Sequence, residues 1–275
     1  MPTTPSPLRY PGGKTKLYDI VRDIIDKNNL HNTYIEPFAG GAGLALKLLL
    51  NNDVKRIIIN DSDLAIYAFW YSVLNNTEQL CDFVEKVELS VKKWREMQEI
   101  YYNKGAHDLL KIGEATLFLN RVNVSGVLKG GLIGGINQEG NYGMDARFNK
   151  VSLVEKIREI GKNRDRILLC GLDVFDFVES DIFKRQKNGL VNFDPPYVGK
   201  GGQLYLNYFT EADHTRLKRR ITKIRKKWIV TYDNCEFIEN LYSNSRSALI
   251  DVTYGTNVGK RDKEFMFYSN NLIIP

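Results

Sequence analysis

At 275 residues, with 43% hydrophobic and 26% charged side chains, the chain has the composition of one large globular domain, or of a domain carrying an inserted lobe. The net charge of +6 favours a polyanionic partner, with a merely basic enzyme as the alternative. No apolar run reaches the length of a membrane span, Met1-Pro2-Thr3-Thr4-Pro5 lacks a signal-peptide pattern, and Cys81, Cys170, Cys235, His31, His107 and His214 are isolated, so the expectation is a reducing cytoplasm, no membrane and no structural metal.

Taken in order, Leu8-Arg9-Tyr10-Pro11-Gly12-Gly13-Lys14 reads as a turn before a helix, whose apolar positions Leu17, Ile20, Val21, Ile24 and Ile25 recur at helical spacing. Paired glycines there let the backbone approach a ligand closely, although Gly-Gly turns ahead of helices are common. Residues 33–43 then predict a strand and a glycine-rich turn, Glu36-Pro37-Phe38-Ala39-Gly40-Gly41-Ala42-Gly43, leading into a helix over 44–50. A second strand over 56–60 ends at Asp61, an acid placed to take ribose hydroxyls in a Rossmann-like unit. The glycine spacing is not that of a dinucleotide site, and a nucleoside without phosphates fits better. A helix over 63–75 follows, capped by Ser62 or Asp61.

The pattern then changes. Residues 77–119 are helical, and 120–135 are polar, basic and dense in glycine, as a hairpin or loop inserted into a groove would be. Residues 76–150 are therefore expected to form an inserted lobe, with 1–75 and 151–275 as the catalytic domain. The α/β pattern resumes with a helix over 153–163, a strand over 167–170, the turn Gly171-Leu172-Asp173 and a helix over 175–183. A buried strand then delivers Asn192-Phe193-Asp194-Pro195-Pro196-Tyr197 to its carboxyl end, where open α/β sheets bind ligands.

That last stretch suits attack by a planar exocyclic amine, whose lone pair is delocalised into its ring. The Asp194 carboxylate and a backbone carbonyl at Pro195 would hold the two amino hydrogens and stabilise charge developing on nitrogen. Pro195 and Pro196 stiffen the backbone, and Tyr197 would stack on the ring. The plain alternative is a turn closing a strand. Residues 198–203 are glycine-rich enough to close over a substrate. Thr210 with Asp213 starts a helix running to Lys227, whose many cations are most simply a solvated face. A strand over 228–232 and two late strands, 248–254 and 264–268, complete the chain. The last two are joined by a basic loop with Lys260 and Arg261, suited to phosphate contact or to plain solvation.

Three motifs in this order, Arg9-Tyr10-Pro11-Gly12-Gly13-Lys14, Glu36-Pro37-Phe38-Ala39-Gly40-Gly41 and Asp194-Pro195-Pro196-Tyr197, resemble those of the Dam-type (D12-class) DNA adenine-N6 methyltransferases, across nearly the whole chain. The resemblance implies a Rossmann-like α/β methyltransferase sheet with an inserted, mainly helical target-recognition lobe. It implies S-adenosyl-L-methionine as cofactor, bound by Tyr10, Gly12, Lys14, Glu36, Phe38, Gly40, Gly41, Asp61, Asp173 and Asp194. It also implies double-stranded DNA as partner, with Asp194, Pro195, Pro196 and Tyr197 acting on a flipped-out adenine. Asn120, Arg121, Asn123, Ser125, Lys129, Lys260 and Arg261 would touch DNA, and a monomer is the family habit. One departure stands out. Members that read GATC carry an aromatic residue and an arginine where this chain has Val124 and Lys129, so its target need not be GATC.

Overall fold

The computed structural model describes residues 4–10, 13–198, 209–253 and 261–274. Seven strands form one mixed sheet in the order β3-β2-β1-β4-β5-β7-β6: β1 (Thr33–Glu36), β2 (Arg56–Asn60), β3 (Ile167–Cys170), β4 (Gly189–Phe193), β5 (Lys227–Asp233), β6 (Arg246–Thr253) and β7 (Arg261–Tyr268). The first five are parallel, and β7 inserts antiparallel between β5 and β6. Parallel strands are covered on both faces, which is why Ile57-Ile58-Ile59 and Leu190-Val191 are unbroken apolar runs. On one face, Val21, Leu46, Ile59, Ile229 and Met266 share a core; on the other, Ile35, Ile58, Val191, Phe193, Val230 and Tyr232 share a second.

Helix α1 (Tyr18–Asn28) precedes β1, α2 (Gly43–Leu50) joins β1 to β2, and α3 (Leu64–Asn75) follows β2. Apolar side chains at helical spacing on α1 are buried, and Asn29 closes it in the left-handed conformation at φ 53°. Helices α4 (Thr77–Lys86), α5 (Val91–Tyr102) and α6 (Leu109–Val122) follow, then α7 (Lys150–Lys162). Their buried residues, among them Trp94, Met97, Phe118 and Ile157, belong to the same core as Val21 and Ile59. These helices are thus built onto the sheet rather than hung from it. Among the described residues no helix is long and apolar enough to cross a membrane.

Four local expectations are corrected. The cap of α3 is Asp63, which accepts from the Ala65 N–H, rather than Ser62 or Asp61. The helix expected over 175–183 breaks at Ser180 into α8 (Val174–Glu179) and α9 (Asp181–Lys184), because Ser180 caps the second piece. Helix α10 (Glu211–Ile221) starts with the expected Thr210–Asp213 capping box but stops well short of Lys227. Lys227 is needed in β5 opposite Leu190, so residues 222–226 must turn the chain back into the sheet. The glycine-rich stretch begins later than expected, because residues 120–122 are still the last turn of α6, and 123–135 take the loop form, turns closed by one isolated bridge from Asn123 to Leu132. The glycine-rich segment after Val198 lies largely outside the described residues.

Candidate active site and nucleic-acid interface

The strand order reverses between β1 and β4, and the crevice above such a reversal is where doubly wound sheets bind ligands. Glu36-Pro37-Phe38 leaves β1 on one side of it and Asp194 leaves β4 on the other. Strand alternation puts Tyr34 and Glu36 of β1, Asn192 of β4, Thr231 and Asp233 of β5, and Glu264 of β7 on one face at this end of the sheet. A polar row thus crosses four neighbouring strands where the rest of the face is apolar.

On the β1 side the turn is held from several directions. Gly40 sits at φ 45°, and a Cβ there would lie 2.6 Å from the Tyr10 ring, so the close approach of Tyr10 needs glycine. Its carbonyl accepts from buried Trp70 Nε1 at 2.9 Å, and its N–H donates to Asp61 Oδ2 at 2.8 Å. Asp61 Oδ1 takes the Asp63 N–H at 3.0 Å. Burial pushes the Asp61 carboxyl up to about 6, against those two amides. Phe38 meets Phe209 edge-on at 5.7 Å. Asp173 is exposed and caps α8 through the Phe175 N–H. Asn60 ties this corner together, donating to the Pro37 and Leu172 carbonyls and accepting from the Leu172 N–H.

On the β4 side the centre is Lys14. Its ammonium is 3.1 Å from Asp194 Oδ1 and 3.4 Å from Glu264 Oε2, and it donates to the Tyr197 hydroxyl while lying over that ring. Burial works to lower the Lys14 pKa, but Asp194 and Glu264 outweigh it and the lysine stays charged. Burial raises the Asp194 carboxyl, opposed by Lys14 and by the Thr231 hydroxyl, which donates to Oδ1 at 3.1 Å. The same Oδ1 therefore takes both anchors. Among the described residues Oδ2 takes no hydrogen bond, and the side chain is 25% exposed. Burial keeps the Tyr197 phenol protonated, so it donates to Glu264.

Glu36 has another employment. Its Oε1 accepts the Ala45 N–H in the first turn of α2 at 3.2 Å, and its carboxylate is also hydrogen-bonded by Tyr34, whose hydroxyl accepts from Asn192 Nδ2 at 2.8 Å. Burial, then Asp194, push Glu36 up to about 8, so it is protonated at neutral pH.

Of the residues expected to touch DNA, Asn120 and Asn123 are buried and spent on the protein's own groups, mostly backbone. Asn120 accepts the Arg9 N–H at 2.7 Å and donates to the Arg9 and Gly126 carbonyls. Asn123 accepts from Trp94 Nε1 and donates to the Val127 and Leu128 carbonyls. Gly126, at φ 76°, lies against Arg9, where a Cβ would meet the Arg9 carbonyl oxygen at 2.5 Å. Arg121 donates to the Arg147 and Pro7 carbonyls, and burial, with Arg9 and Arg147 nearby, lowers it to about 10. Lys156 reaches the Ser6 carbonyl beside it. No carboxylate pairs with Arg9, Arg121, Arg147 or Lys156 among the described residues. Val124, Ser125 and Lys129 are exposed. Pro195 is buried and Pro196 half-buried. Gly12 and Lys260 lie outside the described residues, as does the side chain of Arg261.

Thr231, Trp70, Tyr34 and Glu264 contact the candidate site residues Asp194, Gly40, Glu36 and Lys14, and sequence reasoning did not single them out. Glu264 carried little signal, because it directly follows the charged run Lys260-Arg261-Asp262-Lys263 and reads as its last member.

The profile of the D12 class N6 adenine-specific DNA methyltransferases matches residues 10–257. The chain is 26% identical over 264 residues to the type II methyltransferase M.MjaIII of Methanocaldococcus jannaschii, covering 86% of each protein. It is 24% identical over 243 residues to the type II methyltransferase M.CviBI of Paramecium bursaria Chlorella virus NC1A, covering 86% of this chain and 85% of that one. A Rossmann-like sheet, an acid at the reversal point and a match over most of its length converge: the chain belongs to the D12 class of adenine-specific DNA methyltransferases.

Proposed function

We propose that this enzyme takes its methyl group from S-adenosyl-L-methionine and places it on the N6 amino group of an adenine flipped out of duplex DNA. The observation that carries the reading is the Asp194 carboxylate, anchored through Oδ1 by Lys14 and Thr231 while Oδ2 takes no hydrogen bond among the described residues. An aromatic amine is a weak nucleophile, and an oriented acceptor on its hydrogen stabilises the positive charge that grows on nitrogen as it attacks.

The donor set fits this cofactor. Two carboxylates on one ammonium leave the Lys14 cluster net negative, which suits a cation, and Asp61 lies across the glycine turn where ribose hydroxyls would sit. When bound, the cofactor supplies a methyl group already activated on a sulfonium. The protein's part is to orient: the crevice brings the amine into line, Asp194 holds its hydrogen, and Tyr197 offers a ring beside it. Extruding the base costs a few kcal/mol, which stacking in the pocket offsets.

Arg9, Arg121, Arg147 and Lys156, which pair with no carboxylate among the described residues, suit the phosphates of the duplex, and exposed Ser125 and Lys129 suit base edges. Both named relatives are type II methyltransferases, and we read this chain as one of that type, with a short recognition sequence. The test is to incubate the protein with unmethylated genomic DNA and methyl-labelled cofactor, then analyse the bases and map the modified positions. Label in N6-methyladenine at one short motif is the expected result. Label in cytosine alone, or scattered without a motif, would overturn the reading.

A further inference from the structure

Beyond the motifs, the geometry points to Glu264 as a positioning residue for methyl transfer. It lies seven residues past the end of the matched segment, residues 10–257, so nothing in the family match singles it out. The fold brings it to the site. β7 runs antiparallel beside β5, which sets Glu264 opposite Asp233 and on the same face as Thr231 and Asn192. Its neighbours Phe265 and Phe267 point to the other face, into the apolar core. Glu264 is 1% exposed, where a carboxylate is costly unless it is paired.

It is paired, and with two groups of the active site. Lys14 approaches its Oε2 at 3.4 Å and the Tyr197 hydroxyl donates to it, while Lys14 also contacts Asp194 and Tyr197. Lys14 comes from the N-terminal turn, Tyr197 from the segment after β4, and Glu264 from a strand anchored in register on both sides. Of the three, Glu264 stands on the most rigid element. It therefore fixes where the ammonium sits against Asp194 Oδ1, and how the Tyr197 ring is presented. Without it, Lys14 loses the carboxylate opposite Asp194 and Tyr197 loses an acceptor. Misplacement of reacting groups by about 1 Å can cost on the order of 100-fold in rate.

This inference rests on the methyl-transfer reading above. The experiment compares wild type, Glu264→Ala and Glu264→Gln, the last keeping an acceptor for Lys14 and Tyr197. Two quantities are measured: the single-turnover methylation rate at saturating DNA and cofactor, and the cofactor dissociation constant by calorimetry without DNA. Glu264→Ala is expected to lose about 10–100-fold in rate with cofactor affinity within about threefold, and Glu264→Gln to recover most of the loss. A rate for Glu264→Ala within threefold of wild type would overturn the assignment. So would a Gln variant no better than Ala, or loss of cofactor binding in both, which would make the residue merely structural. The wild-type rate, measured alongside, tests the functional reading separately.

Discussion

At the sheet edge, the Asp194 carboxylate is held through one oxygen only; beside the loop after α6, equally polar side chains are consumed by the protein itself. Asp194 is anchored at Oδ1 by Thr231 and Lys14, and among the described residues its Oδ2 takes no hydrogen bond. Asn120, 1% exposed, uses both ends of its amide on Arg9 and on the Gly126 carbonyl. The difference teaches that a polar residue beside a glycine-rich loop has two uses of similar sequence appearance. It can be open to a ligand, or it can hold a loop in place.

The largest expected effect falls on the edge. Asp194→Ala should lower the methylation rate by about 10²–10³-fold, as loss of one preorganised acceptor does, with cofactor binding weakened rather than abolished. Residual activity within tenfold, measured in single turnover, would remove the distinction at its stronger end. Asn120→Ala should instead act on stability. Leaving the Arg9 N–H and two carbonyls without their buried partner is expected to cost about 3 kcal/mol and lower the thermal midpoint by about 5–10 °C. A normal midpoint with weakened DNA binding would place Asn120 back among the DNA contacts.

Glu36 offers a pH test of the same edge. Folding raises its carboxyl from the ordinary 4.5 to about 8, so the folded chain holds a proton there that the unfolded chain gives up. The stability it costs therefore grows as pH rises from about 4.5 to about 8. Glu36→Gln should raise the thermal midpoint relative to wild type at pH 8.5 and leave it nearly level at pH 5. A variant less stable than wild type at pH 8.5 would contradict a protonated Glu36. The smallest effect belongs to exposed Lys129. Replacing it with Ala should weaken DNA binding about three- to tenfold and reduce the salt dependence by about one counterion, without moving the midpoint.

Much of the fold was readable because parallel strands announce themselves. Ile57-Ile58-Ile59 and Leu190-Val191 are apolar without alternation, and Asp61 and Asp194 mark their carboxyl ends. The Glu36 and Asp194 motifs were each legible at the carboxyl end of a strand, while the pairing of β1 with β4 at the reversal came only with the fold. What could not be read depended on contacts distant in sequence. Glu264 reaches Lys14 only because β7 inserts antiparallel beside β5, and nothing local to either residue encodes that neighbour. The burial of Asn120 and Asn123 depends on Arg9 and Trp94, far away in the chain. The stop of α10 at Ile221 was hidden because its cations suit a helix surface, and only the demand of β5 for Lys227 decides it.

The most direct test of the central claim is a structure of the enzyme with duplex DNA and an unreactive analogue of the methyl donor. The account predicts an extruded adenine with N6 at about 3 Å from Asp194 Oδ2, and Oδ1 still on Lys14 and Thr231. An adenine held with N6 away from Asp194, or a target base left stacked in the duplex, would contradict it.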